Sequence, residues 1–574
     1  MISSLDELDP ESALEATVCI IGAGAAGIAL ACELDGCGFP VLLLEAGGLR
    51  LDLAASNDRY AGTAVAPHPN PSEYRRIVFG GTTGTWGGRC VPFDPIDFEK
   101  RDYIADSGWP VAYDEVARCY PRALQYCDAG AFDFSVGGSL PEPASGIANL
   151  PGLGGGTELL ADRIERYSLP TDFGKRYRAR IAQSGNVRSL LHARCVALHR
   201  AAGESRVTSV TVVDRAARRR TVRAQVFVLA TGGIEVPRLL MQSDAQGLGL
   251  GNQHDLLGRY YACHFENILG RLVAPQGKVP FDFEKTRDDV YCRRKLQFSA
   301  PAQREHRLLN TAFRLHFPPY SDASHGNPAL SAIYLAKSTL IPEYRAILQH
   351  GSEPAVQSPA LAHLRNLVFG MPELGRFAYQ WLFLRHLSNR KLPYTLVKNR
   401  DGSYPLEFNC EQTPLASSRI TLSDAVDPDG LRRVHVNWRV STDDADAAQR
   451  AFLLLRDILH QHSACRLEFD EAGLRQAIGR SAPLGGHHIG TARMAATPRE
   501  GVVDRNCALF ESPNVFIASS AVFCTSSHAN PTLTIVAFAL RLADHLKSTL
   551  RAPSLVRDAA GGGAEAATLR AHLS

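Results

Sequence analysis

The sequence predicts a protein of mixed class, α/β together with α+β, and three observations carry that expectation. A glycine-rich turn stands between a buried strand and a helix near the N-terminus. A second buried strand, ending in another glycine turn, follows about 200 residues later. From about Phe265 to Arg480 the texture changes to short β-like runs around a long helical segment. The first two features describe a parallel sheet assembled from separated stretches of chain, and the third a mostly antiparallel sheet with helices. At 574 residues the chain is also too long for one simple core.

Ala16 to Ile21 is an apolar run that ends in G-A-G-A-A-G; a helical pattern (Ile28, Leu30, Ala31, Leu34) follows, then Pro40 and V-L-L-L closing on Glu45. This is β-α-β at the length one such unit needs. The stretch Gly80 to Gly88 holds too many φ-permissive residues for a helix or strand and reads as a backbone-lined loop. Val226 to Leu229 is a buried strand ended by Ala230-Thr231-Gly232-Gly233, with a helix expected just beyond and Pro237 in its first turn. In the middle block, T-A-F-R-L-H-F and His435-Val436-Asn437-Trp438 read as strands and Ser358 to Leu387 as a helix. That helix carries Arg365, Arg376 and Arg385 among aromatic residues; a core helix with a solvated basic face is preferred over an interfacial membrane helix. A last helix runs from Thr532 to about Leu550, and the tail 551–574 is low-complexity and expected to be disordered.

Composition excludes several classes. A net charge of +3 offers no concentrated basic surface for nucleic acid. The acidic start has no apolar h-region, and no apolar run approaches a membrane span. Thirteen scattered cysteines without a C-x-x-C pair read as buried thiols of a cytoplasmic protein, with no metal site.

The G-A-G-A-A-G turn places Gly22, Gly24 and Gly27 at a helix start. They serve a tight turn, close approach of backbone to a pyrophosphate, and helix–strand packing respectively. Glu45 stands 18 residues past the last glycine, where a carboxylate accepts from ribose hydroxyls. The C-terminal block reads H-H-I-G-T-A-R-M (487–494), G-V-V-D (501–504), N-V-F-I-A-S-S-A-V-F, then A-N-P-T-L-T-I-V-A-F-A-L-R-L-A-D-H-L. With G-A-G-A-A-G, the G-G-T-T-G-T-W-G-G loop and A-T-G-G in the same order, it resembles the glucose–methanol–choline (GMC) oxidoreductase family. The likeness is to a bacterial branch that includes pyranose oxidases and aminoglycoside hydroxyl oxidases.

The resemblance implies a Rossmann-like FAD-binding domain assembled from 1–110, 155–264 and 481–550, a connecting or lid segment at 111–154, and a substrate-binding domain at 265–480. It implies FAD contacts at Gly22, Gly24, Gly27, Glu45 and Ala46, and at Gly80, Gly81, Thr82, Thr83, Trp86 and Gly87. Further contacts fall at Val196, at Ala230, Thr231 and Gly232, at Ser519 and Ser520, and at Asn530, Pro531 and Thr532. His487 takes the place of the catalytic base and Asn530 that of its partner; His488 and His528 are read as structural or supporting. Pyranose oxidases attach FAD to a His just before the Trp, where this chain has Thr85, so the expected flavin is non-covalent. Ser519 replaces the usual Asp.

The implied reaction oxidises an alcohol to a carbonyl by hydride transfer to FAD N5, with a neutral imidazole accepting the hydroxyl proton and a carboxamide positioning the oxygen. The substrate is a sugar, glycoside or polyol-like metabolite. One alternative is a hydrophobic or aromatic alcohol held by Phe369, Phe377, Tyr379, Trp381 and Phe383, although core packing is the preferred role for most of these. Another is a non-catalytic flavin-binding protein. Only Cys195 lies between Leu159 and Ala224, which excludes an iron–sulfur cluster there. The electron acceptor is therefore O₂ or a soluble molecule, and membrane association is not expected.

Overall fold

The computed structural model describes residues 1–10, 12–146, 150, 153, 158–201, 203–243, 249–274, 279–335, 358–394, 396, 402–483 and 485–551. Leu14–Ile21 is buried from Val18 onward and pairs in parallel with Val41–Leu44 on one side and Arg219–Leu229 on the other. Helix Ala25–Glu33 between the first two is buried on nearly every side, so its residues are small or aliphatic. Val187–Leu191 and Ile2–Ser4 extend the sheet on one edge; Val207–Val213 and Arg194–Arg200 extend it antiparallel on the other. Val515–Ile517, from the far end of the sequence, pairs in parallel with Phe227–Leu229.

A second sheet is antiparallel and runs in the order Arg466–Glu468, Phe265–Val273, Ser403–Cys410, Thr311–Leu315, Tyr291–Phe298, Leu159–Tyr167, Arg89–Cys90. Helix Thr442–His462 covers one face, with Phe452 edge-on to Phe313 and Phe408. The fold is therefore α/β plus α+β, with the nucleotide sheet drawn from discontinuous segments. The last helix spans Thr532–Arg551, and 552–574 of the expected tail lie outside the described residues.

Two expectations are corrected. The helix after the second glycine turn starts at Gly232, so Pro237 lies in its interior rather than its first turn. Proline lacks the N–H that would bond Gly233 four residues back; the Gly233 carbonyl instead accepts from Thr491 Oγ1 at 2.6 Å. The stretch 358–387 is helical, as Ala360–Phe369, Met371–Tyr379 and a π-helical Gln380–Leu387, but it is not a core helix. Phe369, Tyr379, Trp381 and Phe383 are exposed by 75%, 57%, 46% and 47%. The inward side of Ala360–Phe369 is polar instead, carrying His363 and Asn366.

The second sheet holds a buried ion cluster. Arg314 stands directly opposite Glu407 across the ladder and is fully buried. It donates to Glu165 and to Glu407, both at 2.7 Å, and to Asn409 at 2.8 Å. Removing the cation leaves two carboxylates without their strongest partner. Arg314→Met is expected to lower the unfolding free energy by about 3–5 kcal/mol, read as a lower denaturant midpoint; an unchanged midpoint refutes this role.

Candidate active site

A cavity of about 1060 Å³ runs between the two sheets. It begins at the glycine turn, where Gly22 has φ +104° and an added Cβ would lie 2.7 Å from the Ala230 carbonyl oxygen. A Cβ on Gly27 would lie 1.9 Å from the Gly22 oxygen, so this glycine packs beneath the cavity rather than lining it. Gly24 has open space above it. Glu45 and Ala46 line the same end. The Glu45 carboxylate accepts from Gly47 N at 2.8 Å and Ala23 N at 3.0 Å, and burial pushes its pKa up to about 7.

The Gly80–Gly88 loop is pinned to that turn. Gly80 N donates to Ala23 O at 2.8 Å, and an added Cβ on Gly81 would lie 3.1 Å from Gly24 Cα. Gly81, Thr82, Thr83, Trp86 and Gly87 line the cavity; Gly80 sits just behind. Trp86 is held by its indole N–H donating to Thr171 O at 2.9 Å. Ala230, Thr231 and Gly232 form the opposite wall, and the Thr231 hydroxyl is buried without a partner. Ser519, Ser520, Pro531 and Thr532 complete the lining beside the N-terminus of the last helix. Val196 does not reach the cavity: it packs with Val213 and Leu431, while Ala193, Arg194 and Cys195 line the wall.

His487 and Asn530, 43 residues apart, meet at 3.0 Å between His487 Nε2 and Asn530 Nδ2. Arg89 Nε donates to Asn530 Oδ1 through a very short contact. That bond fixes the carboxamide: its oxygen faces Arg89 and its NH₂ faces the imidazole. Nε2 of His487 therefore carries a lone pair, and the neutral ring keeps its proton on Nδ1, which is buried without a partner. Burial, and then the nearby Arg89 charge, lower the His487 pKa to about 3. The group is a neutral acceptor throughout the working range.

His488 also lines the cavity, but its Nδ1 belongs to a separate hydrogen-bond relay. The Pro69 carbonyl can only accept, so His68 Nδ1 donates to it at 2.7 Å. His68 Nε2 then accepts from the Tyr261 hydroxyl at 2.7 Å, whose oxygen accepts from His488 Nδ1 at 2.7 Å. His528 is buried away from the cavity, 3.1 Å from Lys295 Nζ and 3.2 Å from Asp94 Oδ2.

Sequence reasoning missed four groups. Arg89 lies two residues beyond Gly87, at the edge of the second sheet, and no spacing rule marks it. His264 is fully buried with its ring 4.4 Å from that of His487, and neither nitrogen has a partner. Glu266 and Glu407 line the cavity below them. Burial raises the Glu266 carboxyl, whereas Arg314, His316 and Arg293 hold Glu407 well below the usual range against its own burial. Donor atoms of His264, Glu266 and His487 fall within 4.8 Å of one another. The Arg89 guanidinium in the same wall opposes a cation there. Phe369, Phe377, Tyr379, Trp381 and Phe383 are absent from the lining.

The residues fit FAD. The cradle at Gly24 is open where a side chain would fill it, Thr231 offers an orphaned hydroxyl, and Glu45 lies at the end of the second strand. A parallel glycine-turn sheet joined to an antiparallel sheet over a neutral imidazole defines a flavoprotein oxidoreductase. Residues 414–539 match the family model described as GMC oxidoreductase, a segment that contains both His487 and Asn530. The chain is 23% identical to 2-methyl-1,2-propanediol dehydrogenase of Mycolicibacterium austroafricanum, over 93% of this chain and 96% of that protein. It is 24% identical to paromamine 6'-oxidase of Streptomyces fradiae, over 92% and 90%. The fold is shared with an FAD-dependent oxidoreductase from Chaetomium thermophilum (TM-score 0.53, 16% identity, 93% of this chain and 100% of that one). It is shared also with pyridoxine 4-oxidase from Mesorbium loti (TM-score 0.51, 18% identity, 92% and 98%). These likenesses support an FAD-dependent oxidoreductase acting on CH–OH donors, whose segment 414–539 is similar to GMC oxidoreductases.

The suppressed imidazole has a consequence for stability. The ordinary His487 pKa of 6.5 falls to about 3 on folding, so between these values the unfolded chain binds a proton that the folded chain refuses. Stability linked to this group is lost as pH falls through that window. Carboxyls raised by burial, Glu45 and Asp97 among them, act with the opposite sign. A His487→Gln comparison isolates the imidazole. The melting temperature of the variant is expected to drop less than that of the wild type between about pH 7.5 and about pH 5; equal drops exclude the linkage.

Proposed function

We propose that this protein oxidises a secondary or primary hydroxyl of a sugar, glycoside or other polyol-like metabolite, with His487 as the general base. The observation that carries the reading is the Arg89–Asn530–His487 chain, which keeps Nε2 unprotonated in a side chain that lines the cavity. Bound FAD supplies the hydride acceptor. The backbone around Gly22, Gly24, Gly81 and Thr82, with the Glu45 carboxylate and the Thr231 and Ser519 hydroxyls, would hold it. The substrate oxygen takes the place of Nε2 as acceptor of the Asn530 N–H and is kept there by it, which frees the Nε2 lone pair to take the hydroxyl proton. Arg89 acts through Asn530. Glu266, Glu407, Asn267 and His316 on the same wall offer the alternating donors and acceptors that a hydroxyl-rich substrate needs.

The reading extends to non-covalent FAD, because Thr85 lacks a nucleophilic ring nitrogen and its hydroxyl already donates to Thr82 O at 3.2 Å. It includes O₂ or a soluble molecule as electron acceptor and a cytoplasmic setting, for which thirteen free, buried thiols are suited. The domain division stated above stands as part of the proposal. Within it, Leu159–Tyr167 belongs by pairing to the second sheet.

His487→Ala is expected to retain FAD while flavin reduction by substrate under anaerobic mixing slows by roughly 10²-fold or more. Near-normal reduction would remove His487 from the base role. Denaturing the holoenzyme and spin-filtering it is expected to release the yellow colour into the filtrate; colour that stays with the chain refutes non-covalent binding.

A further inference from the structure

More than half of the large hydrophobic side chains exposed among the described residues lie between 361 and 387. The helix Ala360–Phe369 is inverted relative to an ordinary surface helix. Its inward side is polar: His363 is fully buried, stacked 4.2 Å from Tyr334 and 3.1 Å from Ser331 Oγ, and Asn366 Nδ2 donates to Ala323 O at 2.8 Å. Its outward side carries Leu361, Leu364 and Val368 at helical spacing, exposed by 76%, 52% and 65%. Met371–Tyr379 and Gln380–Leu387 contain no buried residue at all.

The charge of this stretch is one-sided. Residues 358–392 contain Arg365, Arg376, Arg385, Arg390 and Lys391 against the single acid Glu373, a net +4 in a chain whose total is +3. Arg365, Arg376 and Lys391 are exposed. Among the described residues no helix is long and apolar enough to cross a membrane, and an apolar face flanked by cations and interfacial aromatics is the pattern of a helix lying in the headgroup plane. A second copy of the chain docking by a twofold contact would set this positive face against itself. We propose that this helical face docks on the surface of an anionic lipid bilayer. Tyr334 and Tyr394, which border these helices on their inward side, also form part of the cavity wall, so the helices lie between the docking face and the catalytic chamber. The proposal reverses the expectation of no membrane association, whose premise was a helix packed into the core.

The test is flotation of the holoenzyme with vesicles of phosphatidylcholine alone or mixed with phosphatidylglycerol. Wild type is expected to float with the anionic vesicles, to be released by high salt, and to remain below with phosphatidylcholine. Trp381→Ser/Phe383→Ser and Arg365→Glu/Arg376→Glu are each expected to weaken vesicle binding by roughly tenfold or more. Both should keep the flavin spectrum and turnover of a soluble alcohol. Quenching of wild-type tryptophan fluorescence by brominated anionic lipid gives a readout that needs no variant. Absence of flotation and quenching, equal flotation of the variants, or a salt-insensitive dimer dissociated by Trp381→Ser/Phe383→Ser would each overturn the proposal.

Discussion

Parallel pairing of Arg219–Leu229 with strands from both ends of the chain is the constraint on which the site depends. Leu14–Ile21 occupies one side of it and Val515–Ile517 the other. The first contact brings the glycine turn against Ala230; the second delivers the C-terminal block, so that the loop before it supplies His487 and the helix start after it supplies Asn530. A chain threaded this way closes a long loop before the sheet repays the entropy, and the buried aliphatic ladder around Val228 is what repays it. Gly233 makes the coupling visible: its carbonyl, freed by Pro237, is bound by Thr491 of the histidine segment.

The chemistry then rests on control of one proton. Arg89 comes from an edge strand of the second sheet, Asn530 from the last helix and His487 from an irregular loop. Only their contact sets the tautomer. Because the guanidinium can only donate, the carboxamide is held with its NH₂ toward the imidazole, and Nε2 is kept as an acceptor. Burial alone would suppress protonation of His487, and Arg89 acts in the same direction. The proposed base is thus available without an acidic partner of the kind that raises a histidine pKa. Beneath it, the Arg314 cluster fixes Glu407 as an anion and leaves Glu266 as the more easily protonated of the two.

Much of this was legible in the sequence. Gly22 and Gly27 declare themselves because no other residue tolerates φ near +104° or a carbonyl at Cβ distance, and Gly24 because a side chain there would fill the open cradle. The motif order around His487 and Asn530 singles out two side chains that meet in the fold even though 43 residues separate them. Arg89 and His264 leave no such trace, since an arginine after a glycine loop and a histidine before a strand look like any others. Val196 illustrates the limit of register: in an irregular strand, a shift along the chain moves a side chain from the wall to the interior. The helical character of 358–387 is legible in the sequence, but the sequence is blind to whether the neighbouring chain covers one face or the opposite one.

Local sequence by itself determined the glycine turns, the alternation of strands and helices, and the residue types able to carry proton transfer, because these follow from backbone sterics and side-chain chemistry within a few residues. Tertiary structure alone decided which atom of His487 is the acceptor, which carboxyl of the Glu266–Glu407 pair is the more easily protonated, and which side of the middle helices meets solvent. Those are properties of distances between groups far apart in the chain, and a hydrogen bond or a burial free energy exists only once folding has set such distances.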